Sequence, residues 1–192
     1  ILMLVAAAVL FVPGYDFAQR EHAMILLVLP WLLLRNARQQ GFQPALLEAV
    51  LVGVMAAIAI CIKPHSVVVP LFVEVLLLWR HRLWRMLFAP ENLAALCCAI
   101  AYAAVIVLFV PEFLTSVLDL GVRAYVPFYG MSFVDTLYRG SLILVFLAAG
   151  ILLMILSRSP YRELAAVFIA ASCGFLISYV AQAKGYYYQM QP

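Results

Sequence analysis

Apolar residues run almost unbroken along this chain, and the polar ones come in short bursts that cut the run into helix-sized lengths. Apolar stretches cover 1–12, 17–34, 46–62, 66–79, 93–110, 141–156 and 164–181. At 1.5 Å per residue most of them approach the thickness of a bilayer's hydrocarbon core, about 30 Å. The pattern predicts six complete transmembrane helices and one partial one at the start. As a single helix, 46–79 would be roughly 51 Å long, too long for one crossing, so it must fold back on itself. Lys63-Pro64-His65-Ser66 supplies the turn, because proline removes a backbone donor and disfavours helix at the residue before it.

Composition strengthens this reading. The chain is 68% hydrophobic and 11% charged, with a mean hydropathy of +1.09, more oil than a soluble domain can hide. The expected fold class is all-α: one polytopic transmembrane helix bundle over 1–192, with short interfacial helices in the outer loop 111–140. Ten Pro and nine Gly interrupt the runs and are expected to delimit the spans, where exposed backbone groups meet water. The chain opens inside an apolar run with neither an initiator Met nor a signal-peptide basic region. It stops at Gln191-Pro192, directly after an aromatic loop. It is therefore expected to be a fragment, truncated at both ends.

Orientation follows from the basic residues in short connections. Arg35-Asn36-Ala37-Arg38 and Arg80-His81-Arg82-Leu83-Trp84-Arg85 are dense clusters and should be cytoplasmic; alternation then places Ser157 to Arg162 on the same side. Seven basic residues lie inside (Arg35, Arg38, Arg80, Arg82, Arg85, Arg158, Arg162) against five outside (Arg20, Lys63, Arg123, Arg139, Lys184), so clustering decides the orientation more than the totals. The net charge of +3 is small and dispersed and gives no footing for nucleic acid. Cys61, Cys97, Cys98 and Cys173 lie within apolar runs without the CxxC spacing of a zinc site and are expected to be small buried hydrophobes. No HExxH, GxSxG or P-loop is present.

Four outer segments remain, and they hold the most chemically capable residues. Asp16-Phe17-Ala18-Gln19-Arg20-Glu21-His22 stands at the start of a span. If helical, it places Asp16 and Arg20 on one face at i,i+4 spacing. These residues suit a helix cap with a surface ion pair, but Glu21 and His22 stand against bilayer where apolar residues are cheaper. Lys63 and His65 flank the turn proline. They read either as interfacial anchors with a snorkelling lysine or as a phosphate site, lysine acting as a point charge and histidine as a donor. Gln182-Ala183-Lys184-Gly185-Tyr186-Tyr187-Tyr188-Gln189 joins a lysine, a flexible glycine and three tyrosines. It suits an interfacial aromatic belt or the stacking of a sugar ring. The 111–140 loop adds Glu112, Asp119, Arg123, Tyr125, Tyr129, Asp135, Tyr138 and Arg139, and reads as a lid or floor. Glu48 and Glu74 fall inside spans, where an acid is costly unless paired; Glu74, one turn from a basic cluster, is expected to be interfacial. Asp16, Glu21 and His22 have the residue types to hold a divalent metal, although three residues so close in sequence need not converge on one ion.

Together, the Asp16–His22 segment opening a span, Lys63-Pro64-His65, and Lys184-Gly185 with its aromatics resemble bacterial integral-membrane glycosyltransferases of the GT-C type. The shared topology covers most of the chain; the motifs occupy about twenty residues. The resemblance implies an inner-membrane enzyme whose site faces the periplasm or cell exterior. It would take a sugar from a polyprenyl-phosphate carrier in the membrane lipid and pass it to a glycan, lipid or protein acceptor. Asp16 or Glu21 would be the base; family members often place the principal acid in the first outer loop, and with such an acid upstream of Ile1 either would be a supporting acid. Arg20, His22, Lys63, His65 and Lys184 would hold the departing lipid phosphate, and Arg123, Tyr125, Tyr129, Tyr186, Tyr187 and Gln189 would line the sugar or acceptor site. Rival readings are a secondary transporter or lipid-linked sugar flippase, which would place charge near the midplane, and a noncatalytic assembly subunit.

Overall fold

A computed structural model describes residues 20–82, 84–120, 123, 132–139, 141–156 and 161–182. Every regular element among them is helical: α1 (Arg20–Gln39), α2 (Leu46–Ile62), α3 (Val68–His81), α4 (Pro90–Phe109), α5 (Phe133–Arg139), α6 (Ser141–Leu156) and α7 (Arg162–Gln182). The expected all-α class holds. Among the described residues two helices, α4 and α7, are long and apolar enough to cross a membrane, and α2 is a shorter apolar helix. At fourteen residues α3 measures only about 21 Å.

Local chemistry sets the helix ends. At the start of α2 the Glu48 carboxylate accepts the Ala45 backbone N–H at 3.1 Å, so this acid serves a helix start instead of standing unsupported within a span. Lys63, extended at φ −140° ψ 91° before Pro64, ends α2 as pre-proline sterics require. A 3₁₀ turn, Pro64–Val67, then reverses the chain into α3. Arg82 closes α3 in the left-handed region, its N–H bonding Leu78 O at 2.8 Å. Pro90 opens α4 where a missing N–H costs nothing. A reciprocal cap starts α5: Ser132 Oγ accepts the Asp135 N–H at 3.1 Å and donates to Asp135 Oδ2 at 2.6 Å.

The apolar runs 46–62 and 141–156 coincide with α2 and α6. Others shift. Helix α1 continues past Leu34 to Gln39 and carries Pro30 inside it, and Pro70 lies in the first turn of α3, so not every proline marks a boundary. In the 111–140 loop the described residues form a π turn at Phe113–Val117, a single turn at Leu118–Leu120, and α5.

The core is shared by α1, α2, α3 and α7: Met24, Val28, Trp31 and Leu32 meet Ala56, Ala59, Val69, Val73, Leu77, Val167, Ala170 and Ala171. Small residues set the spacing. A Cβ added to Gly53 would collide with the backbone oxygen of Glu91 on α4, and one added to Gly174 would stand 2.6 Å from Val69 Cα on α3. Such close backbone approach lets helices pack without a large apolar interface. Helix α4 is unusual in what it hides: Glu91 is its one buried residue, whereas Leu96, Ile100 and Leu108 are 56–70% exposed.

The cysteines depart from expectation. Cys97 is exposed and Cys61, Cys98 and Cys173 are half-buried, all as free thiols. Cys61 and Cys98 line one groove between helices and Cys173 another, on helices apolar all round, where composition gives no clue to which side faces in.

Candidate functional site

The helix hairpins gather most of the described charged residues at two opposite ends of the bundle. At one end stand the start of α1, the α2–α3 turn and the last turns of α7. Here Ser66 fixes the turn from within, its Oγ donating to Lys63 O at 2.6 Å and its N–H to the same oxygen at 2.9 Å. From α7, Ser178 Oγ donates to His65 O at 2.9 Å and clamps the turn to the bundle. Nearby, buried Tyr179 donates to Thr136 O at 3.3 Å, docking α5 on this end.

Of the residues singled out in the sequence, Arg20, His22, Lys63 and His65 come to this end together. Lys63 is 7% exposed and His22 6%. A lysine enclosed to that degree is not a snorkelling side chain reaching along a lipid surface. Arg20 is exposed and stands over a groove of about 700 Å³ between α1, α2 and α4, lined by Ala23, Val54, Ile58, Cys61, Ile62 and Tyr102. The groove is apolar along its length, with a guanidinium at one side and the Lys63 turn following directly on Ile62. A long-tailed amphiphile with an anionic head fits that sequence of surfaces.

Arg123 is committed elsewhere, its Nε donating to Asp119 Oδ1 at 2.8 Å in an exposed i,i+4 pair. Asp16, Tyr125, Tyr129, Lys184, Tyr186, Tyr187 and Gln189 lie outside the described residues, as does the side chain of Glu21. Among the described residues no three His, Cys, Asp or Glu side chains gather as a metal site.

The opposite end holds a cluster that sequence reading missed. Arg35 and Glu91 are 0% exposed and Glu74 9%. Arg35 Nη1 donates to Glu91 Oε1 at 3.0 Å and Nη2 to Glu74 Oε2 at 2.8 Å, with Nε 2.7 Å from Glu74 Oε1. Arg38 grips Glu91 through Nε at 2.6 Å and Nη2 at 2.8 Å, a two-pronged fork. Asn92 accepts from Trp31 Nε1 at 2.9 Å and donates to Glu74 Oε1 at 3.0 Å. Two arginines balance two glutamates, so the cluster is formally neutral. It ties α1, α3 and α4 together and leaves little for a substrate to engage; its role is to hold the bundle.

This corrects one expectation. Arg35 and Arg38 belong to a helix and a buried ion network, not to a connection between helices. Glu74 is the second acid of that network, paired with Arg35. The available signals were the i,i+3 spacing of Arg35 and Arg38 on one helix face and an acid directly after Pro90. Beside the cluster, Arg80 Nη2 donates to Glu163 Oε1 at 2.7 Å and His81 Nε2 lies 2.9 Å from Gln39 Oε1.

No family model, curated protein or solved structure matches the chain.

Proposed function

We propose that the chain is a multi-pass bundle of the inner membrane and works as a GT-C type glycosyltransferase on a polyprenyl-phosphate sugar. The outward-facing apolar surface of α4, with a glutamate as its one buried residue, supports membrane embedding: that arrangement is unfavourable in water and natural in lipid. The end bearing Arg35, Arg38, Arg80, Arg82, Arg85 and Arg162 is then cytoplasmic by its excess of arginine, and the Lys63 end faces the periplasm or cell exterior.

The observation that carries the catalytic reading is the apolar α1–α2–α4 groove with Arg20 at its side and the Lys63 turn beyond Ile62. The isoprenoid tail would lie in the groove and its phosphate would meet Arg20, Lys63 and His65, with Lys184 and His22 as further cationic or donor groups. The acceptor hydroxyl would attack the anomeric carbon while Asp16 or Glu21 takes its proton. The bond from that carbon to the phosphate oxygen breaks, and the phosphate leaves with the electron pair, stabilised by the cations. Tyr125, Tyr129, Tyr186, Tyr187 and Gln189 would serve the sugar or acceptor.

The test is transfer from a radiolabelled polyprenyl-phosphate sugar to a panel of acceptors by the natural full-length protein in lipid nanodiscs. Arg20→Gln, an exposed change outside the core, should raise the KM for donor about ten-fold, the worth of one charge-assisted hydrogen bond. An unchanged KM removes Arg20 and the groove from donor binding. Movement of the lipid-linked sugar across the bilayer without any new glycosidic bond would replace the enzyme with a flippase.

A further inference from the structure

A second groove lies on the other side of the molecule and at the other end. It runs between α3, α6 and α7, with a volume of about 620 Å³, and its walls are Phe72, Val75, Leu76, Met154, Ile169 and Cys173. Its rim carries Trp79, Arg80 and Arg162. We propose that this groove binds one anionic phospholipid of the cytoplasmic leaflet, acyl chain along the groove and phosphate on Arg162 and Arg80. The proposal rests on the membrane embedding argued above but not on sugar transfer.

Three features select this occupant. The first is charge. Arg80 is held by Glu163 at 2.7 Å, whereas Arg162 is exposed and makes no ion pair among the described residues. The rim therefore keeps a net positive charge that an anionic headgroup would complement, and a guanidinium suits phosphate through its planar fork. The second is length. From Arg162 to Cys173 along α7 is about 16 Å at 1.5 Å per residue, close to half of a core about 30 Å thick, so the groove matches one leaflet. The third is Trp79, which is 79% exposed beside the arginines, the placement that an indole takes at headgroup level. A soluble apolar ligand would need neither the arginines nor the tryptophan.

The experiment is native mass spectrometry of the full-length protein released from mixed bilayers of dioleoylphosphatidylglycerol and dioleoylphosphatidylcholine, which share their tails and differ in head charge. The wild type should retain phosphatidylglycerol about five-fold more than phosphatidylcholine, the preference of one arginine near a membrane surface. Arg162→Gln should abolish that preference while the protein stays inserted. A second variant, Ile169→Trp, fills the groove without touching the charges and should lower retention of both lipids. Equal retention of the two lipids by the wild type, a preference surviving Arg162→Gln, or full retention in Ile169→Trp each overturns the site. A chain that does not insert overturns the membrane reading and this one with it, whereas loss of sugar transfer alone leaves this one standing.

Discussion

Removing Glu91 should be among the most damaging single changes to this fold. The carboxylate accepts three hydrogen bonds from two arginines, at 3.0, 2.6 and 2.8 Å, and is wholly enclosed. Glu91→Ala would turn a neutral cluster into one with an uncompensated positive charge, with Arg35 still 0% exposed. Breaking a buried pair in this way costs about 3–5 kcal/mol, against a total stability of about 5–15 kcal/mol for a typical domain. Ordinary interhelical hydrogen bonds in membranes average only about 0.6 kcal/mol, so the two explanations of this contact differ several-fold. The assay is reversible unfolding in mixed micelles, followed through Trp31, whose indole ring centroid lies 6.0 Å from the Arg35 guanidinium carbon. Adding Arg38→Gln to Glu91→Ala should recover part of the loss, because the double variant regains charge balance. A loss below about 1 kcal/mol, or no recovery in the double variant, would refute the account of the cluster as an ion clamp.

The remaining predictions concern packing and surface contacts. Gly53→Leu should separate α2 from α4 and lower stability by about 1–3 kcal/mol through overpacking, read as a lower unfolding midpoint in detergent. Gly174→Val should do the same between α7 and α3, where the backbone of Val69 leaves no room. Ser178→Ala removes the side-chain hydrogen bond from α7 to His65 O, part-buried at the turn. It should cost about 1 kcal/mol and speed hydrogen exchange at Ser66. Arg123→Ala breaks an exposed pair and should leave the unfolding midpoint unchanged; a large fall would mean that the loop contributes to the core.

The helices were legible in the sequence where breakers flank an apolar run. Helix α2 ends at Lys63 because Pro64 forces the residue before it into extended backbone, and that is a local rule. The end of α1 was not legible, because Arg35, Asn36 and Arg38 look like a solvated connection until Glu74 and Glu91 arrive from residues thirty-nine and fifty-six positions away. Long-range charge pairing leaves no trace in local periodicity. Nor does the facing of α4: with apolar residues on every side beyond its first turn, Glu91 and Asn92 mark which face turns inward, and an acid and an amide after a proline read equally well as helix-start residues. The gathering of Arg20, His22, Lys63 and His65 was legible, since alternation of antiparallel helices brings both segments to one end. The groove beneath Arg20 was not, because it depends on how α4 packs against Gly53.

The most direct measurement of the central claim is sugar transfer by the full-length protein in nanodiscs, compared with the double variant Lys63→Met, Lys184→Met. The account predicts product from the wild type without any ion gradient, and none from the double variant although it inserts and binds acceptor normally. Full transfer by the double variant would contradict a lipid-phosphate site at the Lys63 end.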